Sequence, residues 1–112
     1  MSLLVNNSDA LKVFQADRSS ADSWALMHFL LSYSTYQPAL EPEDFNVCPI
    51  LLTQPDQDKW TPLYLSELVL SLVKKVLVKT VVLENAGHYP IEDPGLQQMA
   101  DAIIKFLHEI AV

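Results

Sequence analysis

Apolar positions change their period along the chain, and the change divides it into two parts. Up to residue 46 the pattern is sparse and helical. Asn7, Ser8 and Asp9 can cap a helix that carries Leu11 and Phe14, because short polar side chains accept from the free N–H groups of a first turn. The serine-rich run 17–23 breaks that helix and offers caps for the next. A second helix is expected over residues 23–35, where Trp24, Met27, His28 and Leu31 recur at helical spacing on one face. Residues 37–46 contain prolines and acids and read as an extended connector.

From residue 47 the pattern is denser. Residues 47–53 form a short continuous apolar run, as expected of a strand buried on both faces. Pro62 suits the first turn of a helix, with Thr61 as its cap, running to about residue 75 and burying Leu65, Leu68, Val69, Leu72 and Val73. Residues 79–84 are β-branched and apolar, a second strand. Asp93 and Pro94 repeat the cap-plus-proline signal for a last helix to about residue 110. Its Leu96, Met99, Ala100, Ile103, Leu107 and Ile110 make an apolar stripe. The expected fold class is α/β: residues 1–46 a helical segment and linker, and residues 47–112 a strand-helix-strand-helix unit. Its two strands should be parallel, joined by a right-handed crossover helix. Two strands are too few for an independent sheet, and an open apolar edge invites pairing. The chain is therefore expected to form homo-oligomers through that edge or through its helices.

Composition narrows the partners. The chain has 112 residues, enough for one domain or a piece of one. Seven basic residues against 14 acidic ones give a net charge of −7, which repels phosphate backbones and argues against nucleic acid. No apolar run is long enough to span a bilayer and no signal peptide is recognisable, so a cytoplasmic location is expected. The single cysteine, Cys48, reads as a buried packing residue at the start of the first strand. Three scattered histidines without cysteine pairs argue against a metal site, and no cofactor is implied.

In parallel α/β sheets, chemistry gathers in the loops beyond the carboxyl ends of the strands. One such loop, residues 54–61, carries Asp56 and Asp58; the other, residues 85–93, carries His88. Side by side, they bring a carboxylate within reach of an imidazole. Residues 48–62, with a strand opening on proline and Asp58 four positions before Pro62, resemble the α/β-hydrolase loop G-x-x-D-x-x-x-P that supplies the triad acid. Residues 86–94, Ala-Gly-His-Tyr-Pro-Ile-Glu-Asp-Pro, resemble that family's histidine loop, in which a Gly-His step is followed by a glutamate and a proline; here the spacing is G-H-x-x-x-E-x-P. The resemblance covers residues 47–112, and the earlier helices look like the end of its cap. It implies Asp58 as triad acid, His88 as general base, and Glu92 as a structural loop carboxylate. Acid before histidine is also the family's chain order.

There are three departures from the family pattern. Pro55 stands where glycine is usual, which bears on the path of the acid loop. Asn85 replaces another frequent glycine, a milder change because asparagine tolerates left-handed backbone. The G-x-S-x-G nucleophile elbow and the oxyanion-hole loop are missing from this sequence, so it supplies acid and histidine but no nucleophilic serine.

Plainer roles stand beside these. Asp56 competes with Asp58, and spacing to Pro62 favours Asp58. Asp93 reads as a helix cap, His28 as a packed or surface residue, and His108 as a cation near a helix C-terminus. Trp24, Phe29, Tyr33 and Tyr36 fit either a substrate pocket or the core beneath a cap. Trp60 fits a pocket wall or a cover for the sheet edge, and Tyr89 adjoins His88. The resemblance implies a serine hydrolase acting on a carboxylic ester, thioester or similar small acyl substrate. The alternative is a catalytically silent fragment or subunit that acts only by oligomerising or by pairing with a partner chain.

Overall fold

The computed structural model describes residues 5–17, 19 and 26–111. Helix α1 spans Ser8–Ala16 and is capped as expected: Asn7 Oδ1 accepts from the N–H groups of Asp9 and Ala10 at 2.9 and 3.0 Å. Helix α2 spans Met27–Ser34; the expected start at residue 23 and Trp24 lie outside the described residues. The hydroxyls of Ser32, Ser34 and Thr35 donate back to carbonyls of Phe29 and Leu31. The apolar side chains Met27, Phe29, Leu30 and Leu31 of α2 are all exposed. The connector to the sheet holds one 3₁₀ turn, Pro42–Asp44.

Strand β1 spans Ile50–Pro55 and strand β2 spans Val78–Leu83. They pair in parallel, Ile50 opposite Val78 through to Pro55 opposite Leu83. Between them lies helix α3, Leu63–Leu70, and after them helix α4, Gly95–Ile110. This is an α/β arrangement around a two-stranded parallel sheet, with α4 packed on both strands.

Several expectations need correction. β1 begins three residues later than its apolar run, because Pro49 has no N–H to give; the first ladder bond is donated by Ile50 to Leu77 O at 2.8 Å. Cys48 therefore precedes the sheet and is exposed rather than packed. The strand residues 50–53 are half-buried, not enclosed on both faces. Helix α3 ends at Leu70, not near residue 75. The N–H groups of Leu72 and Val73 reach back only three residues, to Val69 and Leu70, and this tightened end turns Val73 inward. Val73 is buried, whereas Leu65, Leu68, Val69 and Leu72 are exposed.

The stripe on α4 is also displaced. Gly95, Met99, Ala102 and Phe106 are its more buried positions, with Gly95 and Phe106 fully so. The expected stripe members Leu96, Ile103, Leu107 and Ile110 lie on the exposed side. α4 thus has two apolar rows, and one of them has no cover among the described residues. Asp93 does not cap α4 through its side chain: Pro94 holds the N-cap position, and Asp93 O accepts from Asn85 Nδ2 at 3.0 Å. Asn85 does adopt the left-handed backbone its side chain tolerates, with φ 55°.

The core is small. Val5, Val73, Leu83, Ala86 and Phe106 are its buried apolar residues. The radius of gyration is 16.7 Å, where a compact chain of this length measures about 13 Å. No described helix is long and apolar enough to cross a membrane.

Candidate functional site

The parallel register ends both strands side by side, so the two following loops start as neighbours. Backbone bonds keep them together. Asp56 N–H donates to Leu83 O at 2.9 Å and Gln57 N–H to Ala86 O at 3.1 Å. Asp56 Oδ1 in turn accepts from Ala86 N–H at 3.2 Å. Asp56 thus stitches one loop to the other, and the carboxylate that meets the imidazole is that of Asp58.

Asp58 Oδ2 lies 3.0 Å from His88 Nδ1. The Asp58 side chain is only 3 % exposed and that of His88 28 %. Three further donors converge on the same carboxylate. Trp60 N–H and Thr61 N–H donate to Oδ1 at 2.8 and 2.9 Å, and the Thr61 hydroxyl donates to Oδ2 at 2.8 Å. Burial by itself raises the pKa of Asp58. The Thr61 amide, His88, the Thr61 hydroxyl and the Trp60 amide together outweigh it and hold the carboxyl at about 2. Asp58 is therefore an anion at neutral pH.

The charge fixes the tautomer. An ionised carboxylate only accepts, so Nδ1 of a neutral His88 carries the proton and donates it to Asp58. Thr61 Oγ1, 3.2 Å from Nδ1, has already directed its own proton to Asp58 and presents a lone pair to the same N–H. Nε2 is then left with its lone pair, and no described residue hydrogen-bonds to it. The result is an oriented base with its accepting atom free.

Thr61, expected as a helix cap, is instead part of this cluster. Gln54 is a second unforeseen member. It ends an apolar run, is buried, and its Nε2 donates to Thr61 O at 3.0 Å and to Pro55 O at 3.3 Å, bracing the loop around Asp58. In the sequence it falls one residue past the expected first strand, whereas β1 runs on to Pro55. Pro55, in the place of the usual glycine, is accommodated as the last residue of β1.

Aromatic rings surround the imidazole. Trp60 stacks on His88 with centroids 5.8 Å apart, and Tyr89 meets it edge-on at 5.4 Å. Phe14 of α1 stacks on the far side of this group, 5.4 Å from Tyr89. Trp60 and Tyr89 thus flank His88 and remain partly exposed. Phe29, Tyr33 and Tyr36 are exposed, Phe29 stacking on Tyr33, so they form no core among the described residues. His28 is exposed, and His108 lies in the last turn of α4, where a cation favours the dipole.

Two open grooves lie elsewhere. One, of about 350 Å³, runs between β2 and α4 past Lys79, Gln98, Asp101 and Lys105. The other, of about 300 Å³, separates α3 from the connector and β1, between Leu40, Phe45, Ile50 and Val69. Neither is lined by Asp58 or His88. Among the described residues, no group of three histidine, cysteine, aspartate or glutamate side chains is placed to hold a metal ion. No known protein family, curated protein or solved structure matches this chain.

Proposed function

We propose that this chain carries the acid and the general base of a serine hydrolase of the α/β-hydrolase type, acting on a carboxylic ester, thioester or similar acyl group. The observation that carries this reading is the 3.0 Å contact between Asp58 Oδ2 and His88 Nδ1 at the carboxyl ends of adjacent parallel strands. In the reaction, Nε2 takes the proton of a nucleophilic hydroxyl as it attacks the acyl carbon, then returns it to the leaving group. Asp58 holds the ring in the productive tautomer and stabilises the imidazolium as it forms. Trp60 and Tyr89 wall the approach to Nε2.

The hydroxyl must come from outside the described residues. Thr61 is on the wrong side of the ring, bonded to Asp58 and facing Nδ1. The exposed apolar faces of α2, α3 and α4 favour an assembly in which another polypeptide segment covers this chain and supplies the nucleophile. They equally support the second reading, a silent subunit that only pairs.

A serine-directed fluorophosphonate separates the two. The probe is applied to whatever assembly co-purifies with the tagged chain, with native His88 and with His88→Ala. Labelling of a serine that is lost in His88→Ala and strongly reduced in Asp58→Asn is the expected result. Labelling indifferent to both substitutions, or none in any assembly, overturns the hydrolase reading in favour of the silent one.

A further inference from the structure

Asp58 and His88 sit on loops that a third piece of chain, remote from both in sequence, ties together. Asn6 Nδ2 donates to Gln57 Oε1 at 3.1 Å, one residue before the acid. The next residue, Asn7, donates its N–H to Glu92 Oε1 at 3.0 Å, four residues beyond the histidine. These contacts span 51 and 85 positions of sequence. Between them, the backbone of Asn6 lies so close to Gly87 that a Cβ on that glycine would stand 3.1 Å from Asn6 N. Phe14, one helix further on, stacks on Tyr89. The segment therefore touches the residues on both sides of His88 and the one preceding Asp58. Val5, where the described segment begins, is 3 % exposed.

Glu92 is the firmest of these anchors. Its Oε1 accepts the Asn7 amide, a charge-assisted bond of the stronger kind. Its Oε2 is buried and has no donor among the described residues. A carboxylate with one buried oxygen unsatisfied depends all the more on the bond the other oxygen makes.

We propose that residues 5–16 form a strap that holds the acid and histidine loops in register, with Asn6 and Glu92 as positioning residues for the Asp58–His88 pair. The strap acts on Asp58 and His88 through Gln57, Gly87 and Tyr89 and touches no reacting atom. Its catalytic consequence rests on the hydrolase reading; its effect on the imidazole does not.

The test is the tautomer of His88, read from the ¹⁵N shifts of its two ring nitrogens. In the native chain the Nδ1–H form dominates. In Glu92→Ala the ratio of Nδ1–H to Nε2–H is expected to fall about tenfold, the scale of one lost charge-assisted constraint, and in Asn6→Ala, whose bond to Gln57 joins two neutral amides, by about threefold. Glu92→Gln, which keeps an acceptor for the Asn7 amide, restores it. Native tautomer ratios in both alanine variants overturn the strap. Should Glu92→Ala unfold, Asn6→Ala and Phe14→Leu decide, each with its helix content confirmed by circular dichroism. Because the readout needs no turnover, the expected fall of the ratio in the alanine variants, found together with an unreactive assembly, would count against the hydrolase reading alone.

Discussion

Thr61 serves Asp58 twice: its amide donates to Oδ1 at 2.9 Å and its hydroxyl to Oδ2 at 2.8 Å. One residue thereby occupies both oxygens of the acid, and its hydroxyl oxygen still faces His88 Nδ1 at 3.2 Å. A helix cap was expected at this position. A cap oxygen would accept from first-turn N–H groups; instead Pro62 holds the N-cap position and the Thr61 hydroxyl donates to the buried anion.

Removing that hydroxyl while keeping the shape isolates its contribution. Thr61→Val retains the amide bond but leaves Oδ2 with His88 as its one side-chain donor. The expected loss is about 1.5 kcal/mol, the scale of a hydrogen bond to a buried charge. Thr61→Ser, which keeps the donor, should lose far less. Urea unfolding midpoints of the three proteins at neutral pH measure both, and equal midpoints for valine and serine would refute the account.

Asp58 also predicts a pH dependence with a definite sign. Its carboxyl is held at about 2 in the folded chain, against 3.8 for the unperturbed group. A lowered pKa stabilises the fold above the unfolded value, and that contribution disappears as pH falls from about 4 through about 2. Its size is about 2 kcal/mol. Unfolding free energy should decline over this acid window, and Asp58→Asn should remove this part of the decline. A variant with the same acid slope as the native chain would show that other carboxylates carry it.

Gly95 opens α4 directly beneath the histidine loop. A Cβ there would stand 2.7 Å from Glu84 O and 2.8 Å from the Ala86 Cβ, one of them a backbone atom that cannot swing aside. Gly95→Ala should therefore cost about 1–3 kcal/mol, the range for overpacking a close contact. It should also shift the amide resonances of Ala86, Gly87 and His88 more than those of β1. Gly87→Ala meets Asn6 N at a less severe 3.1 Å and should disturb the strap more than the sheet. A Gly95→Ala chain as stable as the native one would refute the tight approach.

How far the sequence could be read follows from which interactions are local. The spacing from Asp58 to Pro62 and the Gly87-His88 step were visible along the chain, and the parallel pairing followed from a strand, a helix and a strand. What stayed hidden depends on partners far apart in sequence. Thr61 looked like a cap because its competitor, Asp58, becomes a buried anion only when the loops meet. Gln54 reads in the sequence as the first residue of the acid-bearing loop, whereas it lies inside β1 and is buried. The Asn6–Gln57 and Asn7–Glu92 bonds join the first turns of the chain to both loops, which no periodicity announces. α4 misled for the opposite reason. It carries two apolar rows, and the pattern of one helix cannot say which row this sheet covers.

That uncovered row leads to the last prediction. Leu96, Ile103, Leu107 and Ile110 lie on the exposed side of α4, and Leu68 on α3 is 65 % exposed. Among the described residues β1 and β2 make a sheet of only two strands, and each has one edge without a strand partner there. Apolar surface of this extent on a chain with so small a core drives association, while the net charge of −7 resists open-ended aggregation. Purified alone, the chain should form discrete oligomers. Ile103→Lys with Leu107→Lys should shift them toward monomer if α4 is the contact, and leave them intact if the strand edges are. Light scattering across a dilution series reads both outcomes. A native chain that remains monomeric at high concentration would refute the association itself.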